Sequence, residues 1–225
     1  MGVVTSTPTP SWTRSLAGIA AAATLLLAAC GGSDDAADTD VAVAETAEGE
    51  SVAIVETAPV TVTGEPLPEY GDPANDPAVG MMAPVLSGAS FAGTPVTIGG
   101  PSDQLTFVVF LAHWCPACNA EIPELVDLAE AGDFPDGIDV VAVSTAAAED
   151  RDNYPPSDWF AAEDWPFPVL ADSPEVEALI AAGGNAFPFA MVLDTDGTVL
   201  VRKAGQSSGD VTVQLLEDAL AASAA

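Results

Sequence analysis

Positive charge is what this 225-residue chain has least of. Four Lys or Arg residues (Arg14, Arg151, Arg202, Lys203) stand against 34 Asp or Glu, a formal net charge of -30. A surface of that sign repels phosphate backbones, which excludes nucleic acid as a partner. It is also repelled by anionic lipid, so any attachment to a membrane must be hydrophobic or covalent. The acidity reads as a solvated face that keeps the protein soluble. Cysteine and histidine are nearly as scarce, with three Cys and one His. Three cysteines cannot build a disulfide framework. An ordinary zinc site needs three or four protein ligands, and His113 is the only nitrogen donor near the Cys115/Cys118 pair, so no metal and no cofactor is expected.

The N-terminus carries an apolar run. Arg14 precedes Leu16-Ala17-Gly18-Ile19, then a stretch to Ala29 made of Ala, Thr24 and Leu25-Leu26-Leu27. That is the length of a signal-peptide core and short for a membrane span. It ends in Leu27-Ala28-Ala29-Cys30-Gly31-Gly32, which resembles the lipobox of bacterial lipoproteins. The resemblance implies a signal peptide over residues 1–29, cleavage before Cys30, a lipid on its sulfur, and a location on the extracytoplasmic face of the cell membrane. Two fatty chains suffice for stable anchoring.

Residues 30–80 contain no Lys or Arg, one aromatic (Tyr70), and many Asp and Glu among Ala, Thr, Gly and Pro. Such a segment buries too little apolar area to offset its ordering entropy, and is expected to be an acidic disordered tether. After Met81 the pattern changes. A strand pair is expected around Ser90-Phe91 and Pro95–Ile98, and Leu105–Leu111 is a continuous apolar run, the mark of a strand buried on both faces. A helix is expected from Pro116 to Ala131, ending near Gly132, followed by a buried strand over Ile138–Ser144. Further expectations are a short helix at Trp159-Phe160, a strand at Pro168-Val169-Leu170, and a helix capped by Ser173 with Pro174 at its first position. A hairpin about Asp194-Thr195-Asp196-Gly197 and a closing helix from Gly209 to Ala222 complete the domain over residues 81–225. Strands alternating with helices predict an α/β/α sandwich with a mixed central sheet.

Chemistry concentrates at Trp114-Cys115-Pro116-Ala117-Cys118, at the junction between a strand and a helix. Two thiols three positions apart can exchange a dithiol for a disulfide with little backbone movement. Backbone N–H groups at a helix N-terminus carry partial positive charge and favour a thiolate there, which is the attacking species in disulfide exchange. The first cysteine should lie nearer solvent and the second a turn deeper. Glu121 shares their helix stripe, His113 is expected as an exposed side chain, and Pro123 lies inside the helix, where it should produce a kink.

These residues resemble thioredoxin-fold proteins of the TlpA/ResA type, exported thiol–disulfide oxidoreductases. The resemblance rests on Phe107 to Cys118, on Glu121-Ile122-Pro123, and on Phe187-Pro188-Phe189 ahead of the Met191–Gly197 stretch. It implies that Cys115 is the nucleophile, Cys118 the resolving thiol, and Glu121 a proton handler. It also implies a cis peptide bond at Pro188, with the Phe187 backbone beside the dithiol and free to pair with a substrate backbone. Trp114 is implied as a lid that contacts substrate. Two departures stand out: Phe187 replaces the usual Thr or Val, and Val109 occupies the place where thioredoxins proper hold a buried Asp. The activity implied is reduction of disulfides in exported proteins, such as apocytochromes c, with electrons from a membrane thiol donor. A disulfide-forming oxidant and a copper carrier using two cysteines and a histidine are the alternatives.

Overall fold

The computed structural model describes residues 53–224; the signal segment, Cys30 and the acidic stretch before residue 53 lie outside that range. Eight strands form one mixed sheet: β1 (Thr61–Thr63), β2 (Val85–Ala89), β3 (Pro95–Ile98), β4 (Leu105–Leu111), β5 (Ile138–Ser144), β6 (Val169–Ala171), β7 (Phe189–Leu193) and β8 (Val199–Ala204). Their order is β1-β2-β6-β5-β4-β7-β8, with β3 paired to β2. The helices are α1 (Pro116–Ala131), α2 (Pro156–Ala162), α3 (Glu177–Ala181) and α4 (Gly209–Ser223). This is the α/β architecture with a mixed central sheet that the alternation of apolar runs and helical stretches predicts, and the thioredoxin-like fold that the family resemblance implies.

Strand β4 is the axis of the molecule. It runs parallel to β5 and antiparallel to β7, and its side chains are buried on both faces. Successive side chains point to opposite faces of a strand. Phe107, Val109 and Leu111 therefore pack with Ile122 and Leu125 of α1, Trp159 and Phe160 of α2, and Leu216 of α4. Val108 and Phe110 enter the other core, with Leu179 of α3 and Phe189. Each such side chain contributes roughly 1.5–3 kcal/mol on burial, which is why an uninterrupted apolar run is stable only with a cover on each side.

That requirement overturns the expectation of a disordered tether reaching residue 80. Helices α1, α2 and α4 cover one face, whereas the opposite face has only the five residues of α3. Residues 53–80 supply the missing cover: Val60, Leu67 and Ala78 are buried in the second core, and β1 pairs antiparallel with β2. The Leu67 N–H donates to Ala181 O at 2.9 Å and the Tyr70 N–H to Gly183 O at 2.8 Å. Gly183, at φ 72°, is required there, because a Cβ would collide with the Pro68 carbonyl oxygen. The strap is clamped by a buried ion pair in which the Arg202 Nε–H donates to Asp76 Oδ2 at 2.8 Å. The face these residues cover is not visible in their own stretch, because it is assembled from β2–β4 and from α3 and Phe189, which lie between about twenty and more than a hundred residues later.

Two smaller expectations also shift. The hairpin strand precedes Ser90 and spans β2, leaving Ser90 to Thr94 as the turn. Helix α3 begins at Glu177 instead of at Pro174, because the buried Asp172 carboxylate accepts from the N–H groups of Ser173 and Ala178, while Ser173 Oγ accepts from Glu177. The capping chemistry is present, but it acts three residues downstream of its predicted place.

Candidate active site

The apolar β4 run ends at Leu111, and the chain turns through Ala112-His113-Trp114 into α1. Cys115 is the N-cap residue, with extended backbone (φ -80°, ψ 119°), and Pro116 takes the first helical turn, where its missing N–H costs nothing. The Cys118 N–H donates to Cys115 Sγ at 3.4 Å, and the Cys115 thiol lies 3.7 Å from the carbonyl oxygen of Phe187. The Phe187–Pro188 peptide bond is cis. Two segments distant in sequence, the start of α1 and the Phe187–Pro188 turn, thus meet at one sulfur. Cys115 keeps 7% of its surface exposed and Cys118 none, the order of depth expected from a helix entering the core.

Glu121 is 3% exposed and lines a small pocket with Pro188, Lys203 and Ser207, and its Oε2 has no hydrogen-bond partner among the described residues. Burial pushes its carboxyl up to about 7, against the opposing pull of the Lys203 ammonium and the Ser207 backbone N–H. Burial likewise raises the Cys118 thiol far above its ordinary value, with the neighbouring Cys115 and Glu121 adding to the effect. The deeper thiol is therefore held protonated, next to a carboxyl that can change its own state near neutrality.

The turn itself is secured by polar bonds. Trp114 donates its indole N–H to Ala146 O at 2.8 Å, meets Phe187 edge to face, and carries the Arg151 guanidinium 4.3 Å above its ring. His113 is 1% exposed, contrary to the expectation of an exposed side chain. Its Nε2 accepts from the Ala148 N–H at 3.1 Å and its Nδ1 faces Asp152 O at 2.6 Å, which puts the proton on Nδ1. Burial lowers its pKa, so it stays neutral. A polar ring is stable in that place because both nitrogens have backbone partners.

Residues 79–202 match the AhpC/TSA family. The chain belongs to that family. Among its relatives, the methylamine utilization protein MauD of Paracoccus versutus is 35% identical over 75 residues, 33% of this chain and 36% of MauD, so the aligned stretch spans about a third of that protein. The thiol:disulfide interchange protein HelX of Rhodobacter capsulatus is 28% identical over 149 residues, 66% of this chain and 76% of HelX. The crystal structure of StoA from Bacillus subtilis superimposes with a TM-score of 0.50 at 25% identity, covering 63% of this chain and 98% of StoA. This AhpC/TSA-family protein is a thiol–disulfide oxidoreductase of thioredoxin fold.

Of the residues singled out from sequence, Trp114, Cys115, Cys118, Glu121, Phe187 and Pro188 converge on one site in the family domain. Cys30 falls outside the described residues. Sequence reasoning missed Asn119, Asn153 and Arg151. Asn119 and Asn153 look like ordinary polar residues of a helix and a loop, and only the folding of residues 146–153 against the start of α1 gives them a role. The second cis peptide bond, Tyr154–Pro155, was also unforeseen; the Pro155-Pro156 pair was its only signal.

Proposed function

We propose that this oxidoreductase acts as a reductant of disulfides in exported proteins, apocytochromes c among them, from a lipid anchor on the outer face of the cell membrane. The observation that carries the catalytic part is the placement of Cys115 Sγ between the Cys118 N–H and the Phe187 carbonyl. The sulfur there receives the Cys118 N–H at the helix start and lies beside a backbone edge on which a substrate strand can lie.

In this reading Cys115 attacks one sulfur of the substrate disulfide, forms a mixed disulfide and expels the other sulfur as a thiolate. Cys118 must then lose its proton to attack Cys115, and Glu121 takes that proton. The second substrate thiol leaves, and the enzyme holds a Cys115–Cys118 disulfide. Two electrons have passed to the substrate, whose two sulfurs leave as thiolates and take up protons from Glu121 and from water, and a membrane thiol donor returns the enzyme to the dithiol. Trp114, Phe187 and Pro188 form the surface against which the substrate chain lies. The name of HelX, a thiol:disulfide interchange protein, supports the exchange chemistry. The copper-carrier alternative is disfavoured because both His113 nitrogens are already engaged by backbone groups.

A Cys118→Ser variant tests the assignment. Mixed disulfides with exported proteins should accumulate on Cys115 and disappear in a Cys115→Ser protein; an extract without adducts would sink the nucleophile role. Direction is decided by the equilibrium of the Cys115/Cys118 couple with glutathione. A potential near that of thioredoxin, about -270 mV, marks a reductant, and one near -120 mV marks an oxidant.

A further inference from the structure

One side chain touches the backbone on either side of the reactive cysteine without touching sulfur. The Asn119 Nδ2 donates to His113 O at 3.0 Å and to Cys115 O at 2.8 Å, while its Oδ1 accepts from Asn153 Nδ2 and from the Trp159 indole N–H, each at 2.9 Å. Asn153 Nδ2 also donates to His113 O at 3.0 Å. The orientation of the amide is forced by its partners. An indole N–H can only donate and a carbonyl can only accept, so the oxygen must face Trp159 and the nitrogen must face the turn. Both donor hydrogens and both acceptor positions of the Asn119 amide are used.

We propose that Asn119 is a positioning residue of the dithiol, gripping the His113 and Cys115 carbonyls and bracing them on Asn153 and Trp159. The backbone of a three-residue turn that enters a helix has few bonds of its own. Here the Cys115 N–H to Ala112 O bond at 2.9 Å and the Asn119 N–H to Cys115 O bond at 3.0 Å close the turn. The amide adds a second tie to Cys115 O and reaches back to His113 O, so the Cys115 backbone is held from both ends. The orientation of Sγ toward the Cys118 N–H and the Phe187 carbonyl depends on that backbone. Aspartate, of the same shape, would still accept from Trp159 and Asn153 but would turn an oxygen toward two carbonyls. Alanine would free the turn and leave the buried Trp159 N–H without its partner.

The inference rests on Cys115 being the attacking thiol. Its test uses the full chain in a Cys118→Ser background with oxidised glutathione as the probe. Cys115 Sγ bonds to one glutathione sulfur, the glutathione disulfide bond breaks, and glutathione leaves as a thiolate while the Cys115 proton passes to solvent; adducts are mapped to the Cys115 peptide by mass. Asn119→Ala and Asn119→Asp should each slow this step about tenfold, the scale on which misplacing a reacting group acts. With Cys118 restored, their equilibrium with glutathione should shift at least threefold toward the enzyme disulfide, because the Cys118 N–H contact with a free Cys115 sulfur exists only in the dithiol. Leu179→Ala, a cavity in the opposite core, controls for lost stability and should leave both quantities within twofold of the parent. Folded Asn119 variants with parental rate and equilibrium would overturn the proposal. Should neither fold, Asn153→Ala decides it, since it removes one donor from His113 O and one from Asn119 Oδ1. A fall of about threefold supports the grip, and an unchanged rate refutes it. A Cys115→Ser protein that still forms the adduct through Cys118 sinks the nucleophile reading instead.

Discussion

At the scale of single residues, burial decides the chemistry of the site. Glu121 and Cys118 are both withdrawn from water, and both favour their neutral forms. An unfolded glutamate titrates near about 4.3, whereas Glu121 in the fold titrates at about 7. Between those values the folded protein holds a proton that the unfolded chain has released. Stability therefore falls as pH rises from about 4.3 to 7, by an amount on the order of 4 kcal/mol, and the penalty is complete above 7. Glu121→Gln should consequently raise the melting temperature at pH 8 and converge on the parent as the pH approaches 5. A melting temperature no higher than the parent at pH 8 would show that the carboxylate is not strained there. The same variant should slow the release of substrate from the mixed disulfide, since a glutamine cannot accept the Cys118 proton. Glu121 was identifiable from its spacing after the cysteines; the lack of a partner at its Oε2 was not, because the walls of its pocket come from distant β4, β7, β8 and α4 and the loops before β7 and after β8.

At the scale of elements, α1 and β4 were legible to the residue. Proline at a helix start, glycine in the left-handed conformation at its end, and an unbroken apolar strand are local signals that tertiary contacts reinforce. The strap over residues 53–80 was illegible for the opposite reason. It has little regular structure, and its stability comes from a face that others present. Its clamp is the Asp76–Arg202 pair, in which Arg202 also donates from Nη1 to Pro68 O and Ala182 O, each at 2.9 Å. Removing one member of a buried pair strands the other. Asp76→Ala should cost about 3–5 kcal/mol in urea unfolding, and Asp76→Leu combined with Arg202→Met should recover most of it. A loss below about 1 kcal/mol, the range of an exposed pair, would mean that water reaches Arg202 and the strap is loosely held.

At the scale of the whole molecule, an acidic chain carries a site assembled from α1, the loop before β7 and the 146–153 loop. Among the described cations, Arg202 is buried in the strap, Lys203 is bonded to Gly205 O, Gln206 O and Ser207 Oγ, and Arg151 stacks on Trp114. A surface of this sign would need a hydrophobic or covalent attachment to stay on an anionic membrane, and the anchor proposed above is a lipid on Cys30. Cys30→Ala should release the protein into the soluble fraction of lysed cells; unchanged sedimentation with membranes would refute the anchor.

The order of strands and helices after residue 81 and the dithiol at a helix start were readable along the chain, because each depends on neighbours within a few residues; the roles of Cys115, Cys118 and Glu121 were implied by the family resemblance. Tertiary structure alone decided the fate of residues 53–80, the burial of His113 and the hydrogen bonds of Asn119 to Asn153 and Trp159. Each of these depends on which distant surface covers a group or completes its hydrogen bonds, and linear spacing does not encode that.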